Sequence, residues 1–237
     1  MAISELDIPT GVVAHSSASP QRQAELMADS VAKALVYAVQ THGVASLVVS
    51  GGRSPIAFFE LLSTQELDWS KVQISLADER WVSPDDPASN EGLVRRHLLK
   101  NAAREARLIG LYQPTDSVEQ AALLADRALG QLTRPIDVLV LGMGDDGHTA
   151  SLFPGNPGLA HALREDCQER CLPMQAPFAP QARLTMTYPL LACARKQCLA
   201  IQGADKLETL RAALIADPLQ MPIRAFLHSP LEIYWCP

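Results

Sequence analysis

Three absences narrow the reading of this 237-residue chain. No apolar run approaches the ~20 residues that a membrane-spanning helix requires. There is no C-x-x-C pair, and the five cysteines (Cys167, Cys171, Cys193, Cys198 and Cys236) form an odd set, so no disulfide framework is indicated. Positive charge is not in excess. With 20 Lys and Arg against 26 Asp and Glu, the formal net charge is -6, which argues against a broad nucleic-acid or membrane-binding surface and leaves room for a local cationic pocket. The opening "MAISELDIPTG" has neither the basic nor the apolar region of a signal peptide, so the expected location is cytoplasmic. Linkers, charge blocks and repeats are also missing, and the length fits one α/β domain over residues 1–237.

What is present alternates between strand and helix. Ser19-Pro20 reads as an N-cap with proline at the first helical position, opening a helix through "AELMADSVAKALVYAVQ" that stops near Gly43. "VASLVVS" reads as a buried strand, "GGRSP" as a turn and "IAFFELLS" as a short helix. "VQISLAD" is the next strand and runs directly into "DERWV"; a helix around "NEGLVRRHLL" follows. Asp116 and Glu119 suggest a capping box for "VEQAALLADRAL". After the strand "IDVLVLG" come "RLTMT", a helical "YPLLACA", the strand "QCLAIQG", the helix "KLETLRAALI" and short strands near "RAFLH" and "LEIYW". This order predicts a mainly parallel, Rossmann-like sheet flanked by helices on both faces, with its ligand beyond the carboxyl ends of the strands.

Four polar clusters each follow a strand, where that rule places a site. In Ser50-Gly51-Gly52-Arg53-Ser54, consecutive glycines let backbone N–H groups approach an anion, and Ser50, Arg53 and Ser54 offer further donors. The competing reading is a tight turn with a solvated arginine. Lys206 falls in the first turn of a helix, where a cation opposes the helix dipole; an anion between them, or neutralisation by Asp205 or Glu208, would explain it. Arg80 and Arg183 stand at strand ends and can orient phosphate, carboxylate or an oxyanion, though each alone reads as an ion-pair partner. Asp78 and Glu79 are acid/base candidates or partners of Arg80. His148 lies in a glycine-bounded loop after a buried strand and suits general-base work on water, with Asp145 or Asp146 to fix its tautomer. No serine or cysteine occupies a nucleophile-elbow context, so direct attack by water is the simpler mechanism.

Two other readings of these residues fail or weaken. Gly142, Gly144 and Gly147 spell G-x-G-x-x-G, but Pro154 and Pro157 interrupt the helix a dinucleotide fingerprint needs, and Asp166 lies in a polar helical stretch rather than at a strand end. Cys167 and Cys171 with His161 nearby can be imagined as zinc ligands, while the simpler reading is reduced thiols.

Taken together, "SGGRSP", "DERWV", "SNEGLVRRHLL", "LGMGDDGHTASLFPG", "RLTMT" and "GADK" resemble the 6-phosphogluconolactonase family over nearly the whole chain. The resemblance implies hydrolysis of 6-phosphoglucono-δ-lactone, the second step of the oxidative pentose phosphate pathway, without metal or organic cofactor. It implies a small sugar phosphate as ligand, with neither nucleic acid nor membrane as partner. Oligomeric state, monomer or small homo-oligomer, stays open. His148 matches the proposed base; Asp78, Arg80 and Arg183 match further motif positions, and Gly51, Gly52 and Lys206 match phosphate-binding elements. Related glucosamine-6-phosphate deaminases continue the Asp-Gly-His loop with Ile-Ala-Phe-Asn-Glu-Pro, whereas Phe153 stands at the glutamate position here. That departure favours a lactonase over a deaminase. A catalytically idle sugar-phosphate sensor is a third reading, opposed by the retained His148, Asp78 and Arg80.

Overall fold

The computed structural model describes residues 2–176 and 181–237. The first half of the chain contains β1 (Val13–Ser16), α1 (Pro20–His42), β2 (Ala45–Val49), α2 (Ile56–Leu62), β3 (Val72–Leu76) and β4 (Asp78–Arg80). These are followed by α3 (Asn90–His97), β5 (Arg107–Ile109), α4 (Val118–Leu129) and β6 (Val138–Leu141). The remainder forms α5 (Leu159–Ala162), β7 (Cys171–Gln175), β8 (Ala182–Met186), α6 (Tyr188–Ala192), β9 (Lys196–Gln202), α7 (Ala204–Ala213) and β10 (Leu231–Cys236).

Seven strands form one sheet in the order β1-β10-β9-β6-β2-β3-β5, and every pair in it is parallel. β2 and β6 are buried along their whole length, as their unbroken apolar runs require when helices cover both faces. Ser19 caps α1 by accepting the Arg22 N–H at 3.2 Å, and Gly43 ends the helix in the left-handed region at φ 76°. The apolar stripe of α1, including Val31 and Leu35, is buried in the main core.

Several expectations are corrected. The strand read over "VQISLAD" stops at Leu76: the Ala77 N–H still binds Val49 O in the large sheet, while its carbonyl accepts from Met186 N. β4 therefore leaves the large sheet and joins a three-stranded antiparallel sheet in the order β4-β8-β7. Ser117, not Asp116, caps α4; it is extended and accepts from Gln120 N at 3.3 Å. "RAFLH" is not a strand, because Pro222–Phe226 forms a 3-10 helix whose Ile223 N–H binds Gly147 O. Asp166 lies in a turn after α5 rather than in a helix. Among the described residues, no helix is long and apolar enough to cross a membrane.

Candidate active site

The four polar clusters follow β2, β3, β6 and β9, which are neighbours in the parallel sheet and so open on one rim. There they line a cavity of about 540 Å³, within the usual range for a small-molecule site. Ser50, Gly51, Gly52, Ser54, Asp78, Arg80, Asp146, His148, Arg183 and Lys206 all contribute to its wall. Arg53 does not. It is exposed and makes no ion pair among the described residues.

The loop after β6 is a tight turn. Gly147 N donates to Gly144 O at 3.1 Å, and Gly144 N donates to His148 O at 2.8 Å. This folds the His148 ring back over Gly144, where any β-carbon would lie 2.1 Å from Nδ1. Asp146 Oδ1 meets His148 Nδ1 at 2.5 Å and accepts from the His148 backbone N–H at 3.0 Å. Partial burial works to raise the Asp146 carboxyl, but hydrogen bonds from His148 and its charge prevail and hold it below its ordinary value. With Nδ1 occupied, Nε2 is the nitrogen left for substrate or water. The Phe153 ring packs against His148, tilted, with centroids 4.7 Å apart. No helix follows Gly147 directly; the chain makes a Thr149–Leu152 bridge and reaches only the four-residue α5, so the dinucleotide reading also fails in three dimensions.

Asp145, the other candidate, points elsewhere: it pairs with Lys206 Nζ at 2.6 Å, while Lys206 also donates to Met143 O at 2.8 Å. The neutralising partner of Lys206 is thus Asp145 rather than Asp205 or Glu208. Asp145 is 88% exposed, so this ion pair is weak and exchangeable.

Asp78 and Glu79, adjacent in sequence, have opposite surroundings. Asp78 lines the pocket, accepting from Ser151 Oγ at 2.6 Å and from Asn90 Nδ2 at 3.4 Å. Glu79 is fully buried and ties β4 to the start of α3, accepting from the backbone N–H groups of Arg80, Asn90 and Glu91 and from Ser89 Oγ. It is not a pocket group. Neither acid forms an ion pair with Arg80, which instead donates to Ala88 O at 2.7 Å and Asn90 Oδ1 at 3.1 Å. Burial and the adjacent Arg80 charge both disfavour the charged Arg183 guanidinium, opposed by Asp78 and Glu79. Arg183 Nε and Ser50 Oγ are buried and without a partner among the described residues. Unsatisfied donors beside undercompensated cations suit an anionic ligand. The α2 helix contributes little to this, since it spans only seven residues and begins at Ile56, beyond the glycines.

The sequence reading missed Asn90, Ser151 and Gln23. Asn90 sits so close to Gly51 that a β-carbon there would lie 1.9 Å from its Oδ1, and it links Asp78 to Arg80. The available signal was its place just after Ser89, in a motif that carried the family resemblance but was given no site residue. Gln23 comes from α1 and bonds Ile201 O and Tyr234 O beneath the pocket; nothing in its helical pattern marks it.

A family model described as glucosamine-6-phosphate isomerases/6-phosphogluconolactonase matches residues 18–235. The chain is 57% identical over 238 residues to a curated 6-phosphogluconolactonase of Pseudomonas aeruginosa, covering 100% of each protein. It is 46% identical to one of Rhizobium meliloti, covering 94% of this chain and 98% of that one. Among solved structures, a 6-phosphogluconolactonase from Shewanella baltica superposes with a TM-score of 0.93 at 41% identity, over 97% of this chain and 100% of the other.

Proposed function

Since the chain belongs to the glucosamine-6-phosphate isomerase/6-phosphogluconolactonase family, we propose that its pocket hydrolyses 6-phospho-D-glucono-1,5-lactone to 6-phospho-D-gluconate, the second step of the oxidative pentose phosphate pathway. The observation that carries this reading is the Asp146–His148 pair standing in a cavity whose other polar walls are Arg80, Arg183, Lys206 and the Ser50–Gly52 turn.

In this reading Asp146 binds Nδ1 and fixes the tautomer, so that Nε2 of His148 takes a proton from water as the water attacks the lactone carbonyl. The phosphate is remote from the reacting carbon, and its binding energy positions the carbonyl. The turn at Ser50–Gly52 and Lys206 form the phosphate anchor, with the phosphate replacing Asp145 on Lys206. Arg80 and Arg183 meet the remaining negative charge, of the phosphate and of the oxyanion that develops on attack. The tetrahedral intermediate then expels the ring oxygen, which recovers the proton from His148. Asp78, held by Ser151 and Asn90, adds a carboxylate to the polar wall of the pocket.

Phe153 weighs against a deaminase or isomerase acting on an amino sugar, because position 153 packs an apolar ring against His148 where those enzymes carry a glutamate. A sensor needs the phosphate anchor but no base. The five free thiols suit work in the reducing cytoplasm.

The test follows acid release from freshly made 6-phosphogluconolactone, corrected for spontaneous hydrolysis. A rate well above background is expected; no increment would reject the lactonase reading.

A further inference from the structure

Outside the pocket, the segment from α5 to β7 gathers a second group of chemically active side chains. His161 Nε2 lies 3.1 Å from Glu169 Oε2. Cys167 Sγ lies 3.3 Å from the same oxygen and 3.8 Å from His161 Nε2. We propose that His161, Cys167 and Glu169 form a binding site for one thiophilic divalent cation, Zn²⁺ foremost.

A tetrahedral Zn²⁺ with its sulfur at ~2.3 Å and its nitrogen and oxygen at ~2.0–2.1 Å holds those ligand atoms roughly 3.3–3.6 Å apart. The three separations found here lie within about 0.3 Å of that triangle. An ion can therefore enter without rearrangement of the backbone. The triangle is also held from outside. Thr187 Oγ1 donates to Glu169 O at 2.7 Å, and the Arg170 N–H and guanidinium bind Asp126 from α4. The turn between His161 and Cys167 closes with Cys167 N on Arg164 O at 3.1 Å. Arg164 is engaged by Asp166 rather than by Glu169.

A donor set of thiolate, imidazole and carboxylate selects zinc-like ions over Mg²⁺ or Ca²⁺, which prefer oxygen alone. Cys167 is buried while His161 and Glu169 are exposed, so the ion would enter from solvent and keep water as its fourth ligand. Binding displaces the thiol proton to solvent, and nothing is oxidised or reduced. Cys171 is buried in β7 and is not part of this group; Glu169 supplies the third ligand. None of the three residues lines the catalytic pocket, so the ion acts as a clasp on the chain entering β7 and not in hydrolysis.

The test uses the full chain, stripped with a chelator and titrated with Co²⁺ as a spectroscopic probe and with Zn²⁺ by calorimetry. The expected result is one ion per chain and a thiolate-to-cobalt charge-transfer band. Cys167→Ser should abolish the band. Cys193→Ser, which alters the exposed cysteine, should leave it unchanged. His161→Ala and Glu169→Gln, at exposed positions that do not put the fold at risk, should each weaken Zn²⁺ by at least about 10-fold. Absence of the band in the unaltered protein, its survival in Cys167→Ser, or unchanged Zn²⁺ affinity in both His161→Ala and Glu169→Gln would overturn the proposal.

Discussion

Arg80 and Arg183 occupy directly opposed positions across the antiparallel β4–β8 pair, so both side chains leave the small sheet on the pocket side. Like charges so placed destabilise a strand pair, and Arg183 in addition buries an Nε without a partner among the described residues. Arg183→Met is therefore expected to raise Tm by about 2–4 °C, equivalent to about 1 kcal/mol in a chain of this size. The same change should weaken 6-phosphogluconate by at least about 10-fold. Thermal melts and product inhibition check both halves; a lower Tm with unaltered product binding would refute the argument.

The two aspartates beside His148 should separate cleanly. His148→Ala is expected to lower kcat by roughly 10²- to 10⁴-fold while product binding stays measurable. Asp146→Asn, which replaces the Nδ1 partner, should cost about 10- to 10³-fold in kcat. Asp145→Asn should leave kcat within about twofold, because Asp145 bonds Lys206 and not the histidine. Equal kcat losses in the two aspartate variants would reverse that assignment.

Gly144→Ala adds one methyl group where His148 Nδ1 and Asp146 Oδ1 already lie 2.1 and 2.7 Å from the β-carbon position. The ring must move off its partner. The kcat of this variant should fall to within about tenfold of that of His148→Ala, with the fold retained. Steady-state kinetics and the NMR signals of the His148 ring provide the check, and a wild-type rate would show that the dyad tolerates displacement.

Lys206→Ala should raise KM for the phosphorylated lactone by about 10-fold or more. Hydrolysis of the unphosphorylated lactone should change little. Parallel losses on the two substrates would remove Lys206 from the phosphate anchor.

Burial pushes the Glu79 carboxyl up to about 7, against the pull of its four donors. Its ordinary value in the unfolded chain is 4.5, so the folded state holds an extra proton between these two values. Stability from this group is then full below pH 4.5 and declines as pH rises through about 7, by at most about 3 kcal/mol. Denaturant melts at about pH 5 and about pH 8 should show a larger loss for the wild type than for Glu79→Gln. An identical pH slope in the two proteins would contradict this.

The periodicity of α1, the buried runs of β2 and β6 and the polar cluster after each central strand were legible because they depend on residues close in sequence. β1, β5 and β7 were not, since strands of three to five residues carry little pattern until a neighbour pairs with them. Likewise, "DERWV" reads as a polar cluster after a strand until Met186 N–H binds Ala77 O and Asp78–Arg80 pairs with β8 in a second sheet.

The sequence by itself determined the parallel α/β core, the rim on which the pocket lies and the loop that carries His148, the proposed base. These follow from local polarity patterns and from one loop whose glycines and histidine must be contiguous. Only the tertiary structure decided what each charge does. It gave Asp146 to the histidine and Asp145 to the lysine, buried Glu79 as a helix tie while leaving Asp78 in the pocket, and left Arg53 in solvent. The reason is physical: the role of an ionisable side chain depends on which atoms surround it, and those atoms come from segments far apart in the chain.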